Sequence, residues 1–491
     1  ELFARAFLAL VATVTVLYLT RLLLAPLKRR AAATSPASLP CPRGLPLIGN
    51  LHQLGAVPHD SLAALAARHG APLMRLRLGS VPTLVVSTAG ALRAAFQPND
   101  RAMSGRPALT AAARIAYGLQ DIVFSHPGGA FWRAARRASL SELLGAPRVR
   151  GVRKGEVAAL VAAIAGASAA GSPVNLSERL MATSNRILRR VAFGDGGGGE
   201  GSIEAGAVLD EMQKLLGAFF VADYMPWLGW VDALRGLRRR LKRNFHELDA
   251  FYEKVIDDHL KKRAGSKGED LVHVLLRLHG DPAYRSTFNS RNQIKGILTD
   301  MFIAGTDTTA ATVEWTTTEL VRHPDILAKA QQEVRGAVAG GGGDIVLESD
   351  LPRLTYLKQV IRESMRCETI EPCAVYGCEV PAGTRVLVNA RAIGQDPFAW
   401  GPDAAWFVPE RHAEVADLSD HKPWHDSFSL VPFGVGRRSC PGVHFANSAV
   451  ELLLANLLLC FDWRAPRGEA VDLEQETGLT VHRKNPLVLV Q

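Results

Sequence analysis

The stretch Phe433-Gly434-Val435-Gly436-Arg437-Arg438-Ser439-Cys440-Pro441-Gly442 constrains this chain more than any other. It sets one cysteine between two arginines and a glycine, and an apolar run at 446–460, through Leu452-Leu453-Leu454, follows it. That run reads as a helix, and a helix start favours negative charge. Gly436 and Gly442 suit positions where the backbone bends sharply or passes close to a flat partner. Cys440 therefore sits where local N–H donors and positive charge would keep a thiolate deprotonated. An isolated cysteine is by default a buried structural thiol. The combination of Phe433, Gly436, Arg438, Cys440 and Gly442 instead favours a sulfur that ligates a metal.

Those five positions fit Phe-x-x-Gly-x-Arg-x-Cys-x-Gly, and the chain resembles the cytochrome P-450 superfamily from about residue 36 to its end. The resemblance implies haem b bound through the Cys440 thiolate, whose electron donation favours breaking the O–O bond of dioxygen. It further implies that Arg438 pairs with a haem propionate and that Phe433 shields the sulfur from water. Trp132-Arg133-Ala134-Ala135-Arg136 reads as a basic amphipathic helix with Trp132 and Arg136 on one face at i, i+4. Alone it would be a solvated face, whereas in the family this face binds a propionate.

Residues 292–323 read as one long helix, capped by Asn289 or Ser290 and ended by Pro324. Its centre, Ala304-Gly305-Thr306-Asp307-Thr308-Thr309, places glycine, threonines and a carboxylate where helix formers are preferred. Such local rule-breaking is expected at functional sites. Gly305 would leave room for a ligand, and Thr308 can bond a backbone carbonyl and open the ladder. Asp307 is a candidate proton relay. A threonine-rich face packed on a neighbour is the plainer reading. The segment is similar to the family's Ala/Gly-Gly-x-Asp/Glu-Thr-Thr/Ser motif, which implies oxygen activation with Asp307 and Thr308 as its catalytic pair.

Glu363 and Arg366 match the family's Glu-x-x-Arg, and Pro409-Glu410-Arg411 its Pro-Glu-Arg, although His412 stands where Phe is usual. By resemblance Glu363, Arg366 and Arg411 form a buried charged triad with a structural role. The pattern then departs. Members usually continue with Leu-His-Pro-Pro, an apolar stretch and Pro-Arg-Glu, but Arg366 leads directly to Cys367-Glu368-Thr369-Ile370-Glu371-Pro372. A strand-length, pocket-lining segment is missing, and the sheet region resumes at Val380-Pro381-Ala382-Gly383-Thr384-Arg385-Val386-Leu387-Val388-Asn389.

At 491 residues, the chain shows no internal linker and no repeat. The glycine-rich segments 196–199 and 340–343 read as surface loops. Six scattered cysteines argue for a reducing compartment, and the spacing of Cys367, Cys373 and Cys378 matches no zinc pattern. The net charge is +9, from 57 basic and 48 acidic residues. Basic runs such as Arg238-Arg239-Arg240-Leu241-Lys242-Arg243 come with no nucleic-acid motif and read as solvated helix faces. Such a surface suits an acidic electron donor or anionic lipid. Residues 6–20 are uncharged and, with Arg21 snorkelling, approach the ~20 residues of a spanning helix. Lys28-Arg29-Arg30 follows on what would be the cytosolic side. A cleaved signal peptide is the competing reading. The proline-rich strip from Pro36 to Pro46 is stiff and resembles the family's hinge.

The expectation is a mainly α fold with a small β region: a membrane anchor at 1–30, a hinge at 31–50 and a catalytic domain at 51–491. The implied activity is that of a haem-thiolate monooxygenase of plant microsomal type. It would sit in the endoplasmic reticulum membrane as a single-pass protein facing the cytosol. An NADPH-fed reductase would supply electrons from the thiolate side, and one oxygen atom would enter a small hydrophobic metabolite. The C-terminal Glu476-Thr477-Gly478-Leu479-Thr480-Val481-His482-Arg483-Lys484 resembles the branch holding the hydroxyphenylacetaldehyde oxime monooxygenase, which suggests an aldoxime. The pocket should draw on residues 101–130 and 211–230, the long helix before Gly305 and the stretch near Leu479. The alternative is a haem-binding protein impaired by the missing segment.

Overall fold

Apolar residues recur at helical spacing through most of this chain, and helices dominate the computed structural model. The structure describes residues 39–140, 147–194, 201–261, 270–285, 287–339, 344–367, 383–414, 428–466 and 469–490. The expected anchor at 1–30, the start of the hinge, the two glycine-rich segments and the stretch after Cys367 with Cys373 and Cys378 lie outside these residues. Residues 39–50 of the expected hinge are docked rather than free. Arg75 N–H donates to Pro40 O at 2.9 Å, and Asn50 N–H donates to Arg77 O at 2.6 Å.

Two helices placed end to end, Arg291–Gly305 and Asp307–Arg322, run through the molecule. The second packs against Leu176–Phe193, Thr355–Cys367 and Val443–Cys460. One apolar core gathers on the first of the two (Ile294, Ile297, Leu298, Phe302) and another around Leu452–Leu458 and Leu357–Ile361. Val443–Cys460 is the helix long and apolar enough to cross a membrane among the described residues, but its burial makes it a core element. The basic run at 238–243 lies on Leu237–Lys261 with Arg238, Arg239, Arg240, Lys242 and Arg243 exposed. It is the solvated face that its sequence suggested.

The β region is small. β1 (Leu73–Leu78) and β2 (Val81–Val86) form an antiparallel hairpin with Leu73 opposite Val86. Alternation in Leu-Met-Arg-Leu-Arg-Leu buries the apolar residues and exposes Arg75 and Arg77. β3 (Val174–Asn175) is a short strand ahead of the Leu176–Phe193 helix. β4 (Arg385–Val388) joins β2 in parallel, so the described part of the sheet region expected after the sequence departure forms a strand. β5 (Gln475–Thr477) and β6 (Val481–Arg483) form a second antiparallel pair, and β7 (Val488–Leu489) pairs with β3.

Candidate active site

Val435 is extended, Gly436–Arg438 makes one 3-10 turn, and Ser439 turns the chain toward the helix. Gly436 has φ +67°, where L side chains are strained, and a Cβ there would lie 2.2 Å from Asp100 Oδ1. Asp100 occupies that space because it accepts Arg437 N–H at 3.0 Å and Arg437 Nε–H at 2.8 Å. Cys440 N–H donates to Phe433 O at 2.8 Å and closes the loop. The sulfur in turn accepts Gly442 N–H at 3.3 Å, the donor a thiolate requires. Gly442 itself has φ −94° as the residue before Val443–Cys460, so no sharp bend is needed there. Its amide, rather than its conformational freedom, serves the sulfur.

Cys440 faces a cavity of about 320 Å³. The near wall is Phe433, Gly434, Arg438, Cys440 and Phe445, while Ala304, Gly305, Thr308, Thr309 and Thr312 form the far wall. Of the residues singled out in the sequence, the cavity brings together Cys440, Phe433, Arg136, Arg438 and Thr308. Trp132 stands behind them. Its indole N–H donates to Ile122 O at 3.0 Å, and the guanidiniums of Arg136 and Arg438 lie 5.6 and 5.3 Å from its ring centroid. Burial lowers the pKa of Arg136, and Cys440 opposes that shift, so this cation acts electrostatically on the sulfur. Arg136 also donates to Ser439 O, one residue before Cys440.

The expected single long helix is interrupted at Thr306. Ser290 caps the first segment in a capping box with Gln293. Thr308 Oγ1 donates to Ala304 O, the carbonyl bond foreseen from the sequence. Thr312, Thr316, Thr317 and Thr318 repeat that i−4 bond along the second segment. Two expectations differ. A Cβ on Gly305 would meet Leu188 Cδ1 at 2.8 Å, so this glycine lets the Leu176–Phe193 helix approach as well as lining the cavity. Asp307 is buried, does not line the cavity, and directs Oδ2 toward His482 Nε2 at 3.6 Å.

Around the cavity, residues 101–130 contribute Arg106, Ile122 and Val123, and the C-terminal stretch contributes Thr480 and Val481, as expected. Residues 211–230 do not line it, because Met212, Leu215 and Phe220 are spent in the neighbouring core. Sequence reasoning missed an anchor. Asp300 Oδ2 accepts Ile122 N–H at 2.6 Å and Val123 N–H at 3.3 Å. Burial, then the neighbouring Asp121, raises the pKa of Asp300 well above its ordinary carboxyl value. The same loop gives Ile122 O, Val123 O and Ser125 O to Arg438, which also donates to Ser104 O. A buried Asp within Ile-Leu-Thr-Asp-Met-Phe-Ile was the available signal, as was Gly296, where a Cβ would meet Gln120 O at 2.2 Å.

Below the cavity, Glu363 accepts Arg366 Nη2 at 2.6 Å and Nε at 2.8 Å, Arg411 Nε at 3.1 Å and Val408 N–H at 3.0 Å. His412 Nε2 is 2.8 Å from its second oxygen, so the residue that departs from the family's usual Phe is a further member of this network. The triad is structural: it fixes the helix whose Ser364 and Met365 reach the cavity.

The donor set fits a thiolate-ligated haem. One sulfur with an N–H donor faces a cavity of about 320 Å³ whose lining also carries two cations suited to carboxylates and several hydroxyls. Thr309 Oγ1 on that wall is buried without a partner.

The cytochrome P450 family model matches residues 39–490. Cytochrome P450 71A9 of Glycine max is 44% identical over 92% of this chain and 92% of its own length. Strychnine-11-hydroxylase of Strychnos nux-vomica is 43% identical over 94% and 93%, and tryptamine 5-hydroxylase of Oryza sativa subsp. japonica 40% over 94% and 91%. A zebra fish cytochrome P450 solved with progesterone shares the fold, with a TM-score of 0.73 at 24% identity over 88% of this chain and 99% of that one. With Cys440 set against the Thr308 wall, these likenesses place the chain in the cytochrome P450 family, among its plant members, as a haem-thiolate monooxygenase.

Proposed function

We propose that the protein inserts one oxygen atom into a small hydrophobic specialised metabolite, using electrons from NADPH-cytochrome P450 reductase at the cytosolic face of the endoplasmic reticulum membrane. The observation that carries this reading is the cavity lined by both Cys440 and the threonines Thr308, Thr309 and Thr312. A haem held there would supply oxygen activation, which a thiolate ligand favours. Cys440 would hold the iron, with Gly442 N–H and Arg136 stabilising the sulfur's charge. Arg136 and Arg438, stacked on Trp132, would hold the propionates, and Phe433 would keep water from the sulfur. Thr308 would position a proton donor at the far wall, supplied through Asp307. The mostly apolar walls, among them Ile122, Val123, Leu188, Met301 and Val481, would orient an apolar substrate.

Exposed apolar side chains support the membrane address. Leu45 and Leu47 lie on a turn tied through Gly79 N–H to Ile48 O, and Ser80 N–H continues to Tyr224 O at 2.8 Å. Trp227, Trp230 and Leu234 are exposed just beyond, which forms an apolar face of the kind that meets lipid.

The test is the reduced, carbon-monoxide-bound spectrum together with NADPH-driven turnover in reductase-containing vesicles. A thiolate-type band lost in Cys440→Ala, with turnover in the parent protein, is the expected result. A Cys440→Ala protein that kept the band would remove the ligand assignment. Haem binding without turnover would favour the impaired haem protein implied by the missing segment. A spectral-shift panel containing tryptamine, strychnine and hydroxyphenylacetaldehyde oxime addresses the substrate; a shift by the oxime alone supports the aldoxime reading.

A further inference from the structure

Asp307 lies behind the cavity wall and does not line it. Gly305, Thr308, Thr309, Ala311 and Thr312 line it, while the Asp307 carboxylate faces β6. β6 is held firmly along this helix, since Trp315 Nε1 donates to Val481 O at 3.1 Å and Arg483 Nη1 to Thr318 Oγ1 at 3.4 Å. Val481 thereby lines the cavity while His482 meets the opposite, carboxylate-bearing flank of the helix. Asp307 and Glu314 lie seven residues apart, two turns along one face, and His482 interacts with both. Glu314 is itself buried and accepts the Ser177 hydroxyl. The His482 side chain is 27% exposed against 9% for Asp307, so the imidazole is the member of the pair with solvent access.

We propose that His482 supplies protons to Asp307 and holds its carboxylate in waiting behind the cavity wall. This rests on the reading that Asp307 serves the Thr308 side of the cavity. The relay starts from an imidazolium facing a carboxylate. Once the 3.6 Å ion-pair distance closes to hydrogen-bond reach, the Nε2–H bond of His482 breaks, an O–H bond forms on Asp307, and the charge attraction between the two vanishes. The neutral carboxyl is then released toward Thr308, and the neutral imidazole regains a proton from water at the β5–β6 edge. The groups facing His482 agree with this role. Burial lowers its pKa, but Asp307, then Glu314 and Glu476, outweigh burial and raise it above the ordinary imidazole value. Asp210, on the Gly201–Leu216 helix, adds a further carboxylate near Asp307, while Arg483 beside His482 is occupied by Asp472.

Histidine hydrogen–deuterium exchange read by mass spectrometry gives the titration of His482 directly, without turnover. It should titrate above about 6.5 in the parent protein and at lower pH in Asp307→Asn. Turnover supplies the second arm, with whichever compound of the panel above shifts the spectrum, as product formed per NADPH and its solvent isotope effect. His482→Gln should lower coupling by about tenfold, below the 10²–10⁴ typical of an acid in contact with the reacting group, and should flatten its pH dependence. If His482 titrates identically in Asp307→Asn, or His482→Gln couples normally while Asp307→Asn does not, the proposal is overturned and the Asp307 reading stands. If neither variant changes coupling, that reading fails with it. Should His482→Gln not fold, the exchange comparison between the parent and Asp307→Asn decides alone.

Discussion

Replacing Glu363 by Gln measures how far the haem-loop region depends on one buried charge. Glu363 and Arg366 have fully buried side chains, and five donor–acceptor contacts converge on the carboxylate. Gln placed with its oxygen toward Arg411, Val408 and Arg366 Nη2 turns its NH₂ onto Arg366 Nε and His412 Nε2, donor against donor. Removing one partner of such a buried network typically costs about 3–5 kcal/mol. A second route gives a similar size. Burial raises the pKa of Glu363, but Arg366 and His412 outweigh it and hold it at about 2 against 4.5. At 1.36 kcal/mol per pKa unit, that gap corresponds to about 3 kcal/mol. Because the folded pKa is the lower one, this stability is fully present above pH 4.5 and drains away as pH falls toward 2. Urea unfolding at pH 7, with the slope held common, should show the loss, and acid unfolding should show a shallower fall below pH 4.5 in Glu363→Gln than in the parent, because only the Glu363 share is removed. Haem retention should fall as well, since Ser364 and Met365 on the same helix line the cavity. A loss under about 1 kcal/mol, or an unchanged acid profile, would refute the argument that this network is held by charge.

The loop and its anchor yield two further expectations. Gly436→Ala should destabilise by about 1–3 kcal/mol through the left-handed backbone, and should reduce haem content because Asp100 is pushed off Arg437. Adding Asp100→Ala should recover only the steric share; full recovery, read as bound haem per protein, would mean that the backbone is unstrained. Asp300→Asn should be tolerated, because an amide can still accept from Ile122 and Val123 and donate to Asp121. Asp300→Ala should cost about 1–3 kcal/mol by leaving those N–H groups unpaired, and should loosen the carbonyls that hold Arg438. Equal haem loss in both variants, measured from the carbon-monoxide spectrum, would show that Asp300 acts as a charge rather than as a protonated acid.

Local rules carried far in this chain. Helix period, capping at Ser290 and the alternation of β1 are properties of consecutive residues, and the structure reproduces them. The Cys440 loop was legible for a related reason: Gly436 and the backbone bond from Cys440 to Phe433 lie within one short segment. Asp300 and Gly296 stood out by residue type, but their partners at 120–123 are nearly 180 residues away, and only tertiary packing shows what they touch. His412 looked like a departure, yet a ring N–H pointing at Glu363 makes it another donor in the network.

Asp307 is the instructive intermediate case. Its residue type and place in the helix marked it for proton transfer, but the helix break at Thr306 sets the phase of everything after it. That phase turns Thr308, Thr309 and Thr312 to the cavity and Asp307 to β6. An acid in direct contact with the cavity would exchange protons freely with whatever water entered there. One reached only through His482 separates the proton supply from the substrate space, and the apolar walls can then exclude water without starving the site of protons. If Asp307 serves Thr308 as proposed, one helix then presents the cavity-lining threonines and the carboxylate to different neighbours.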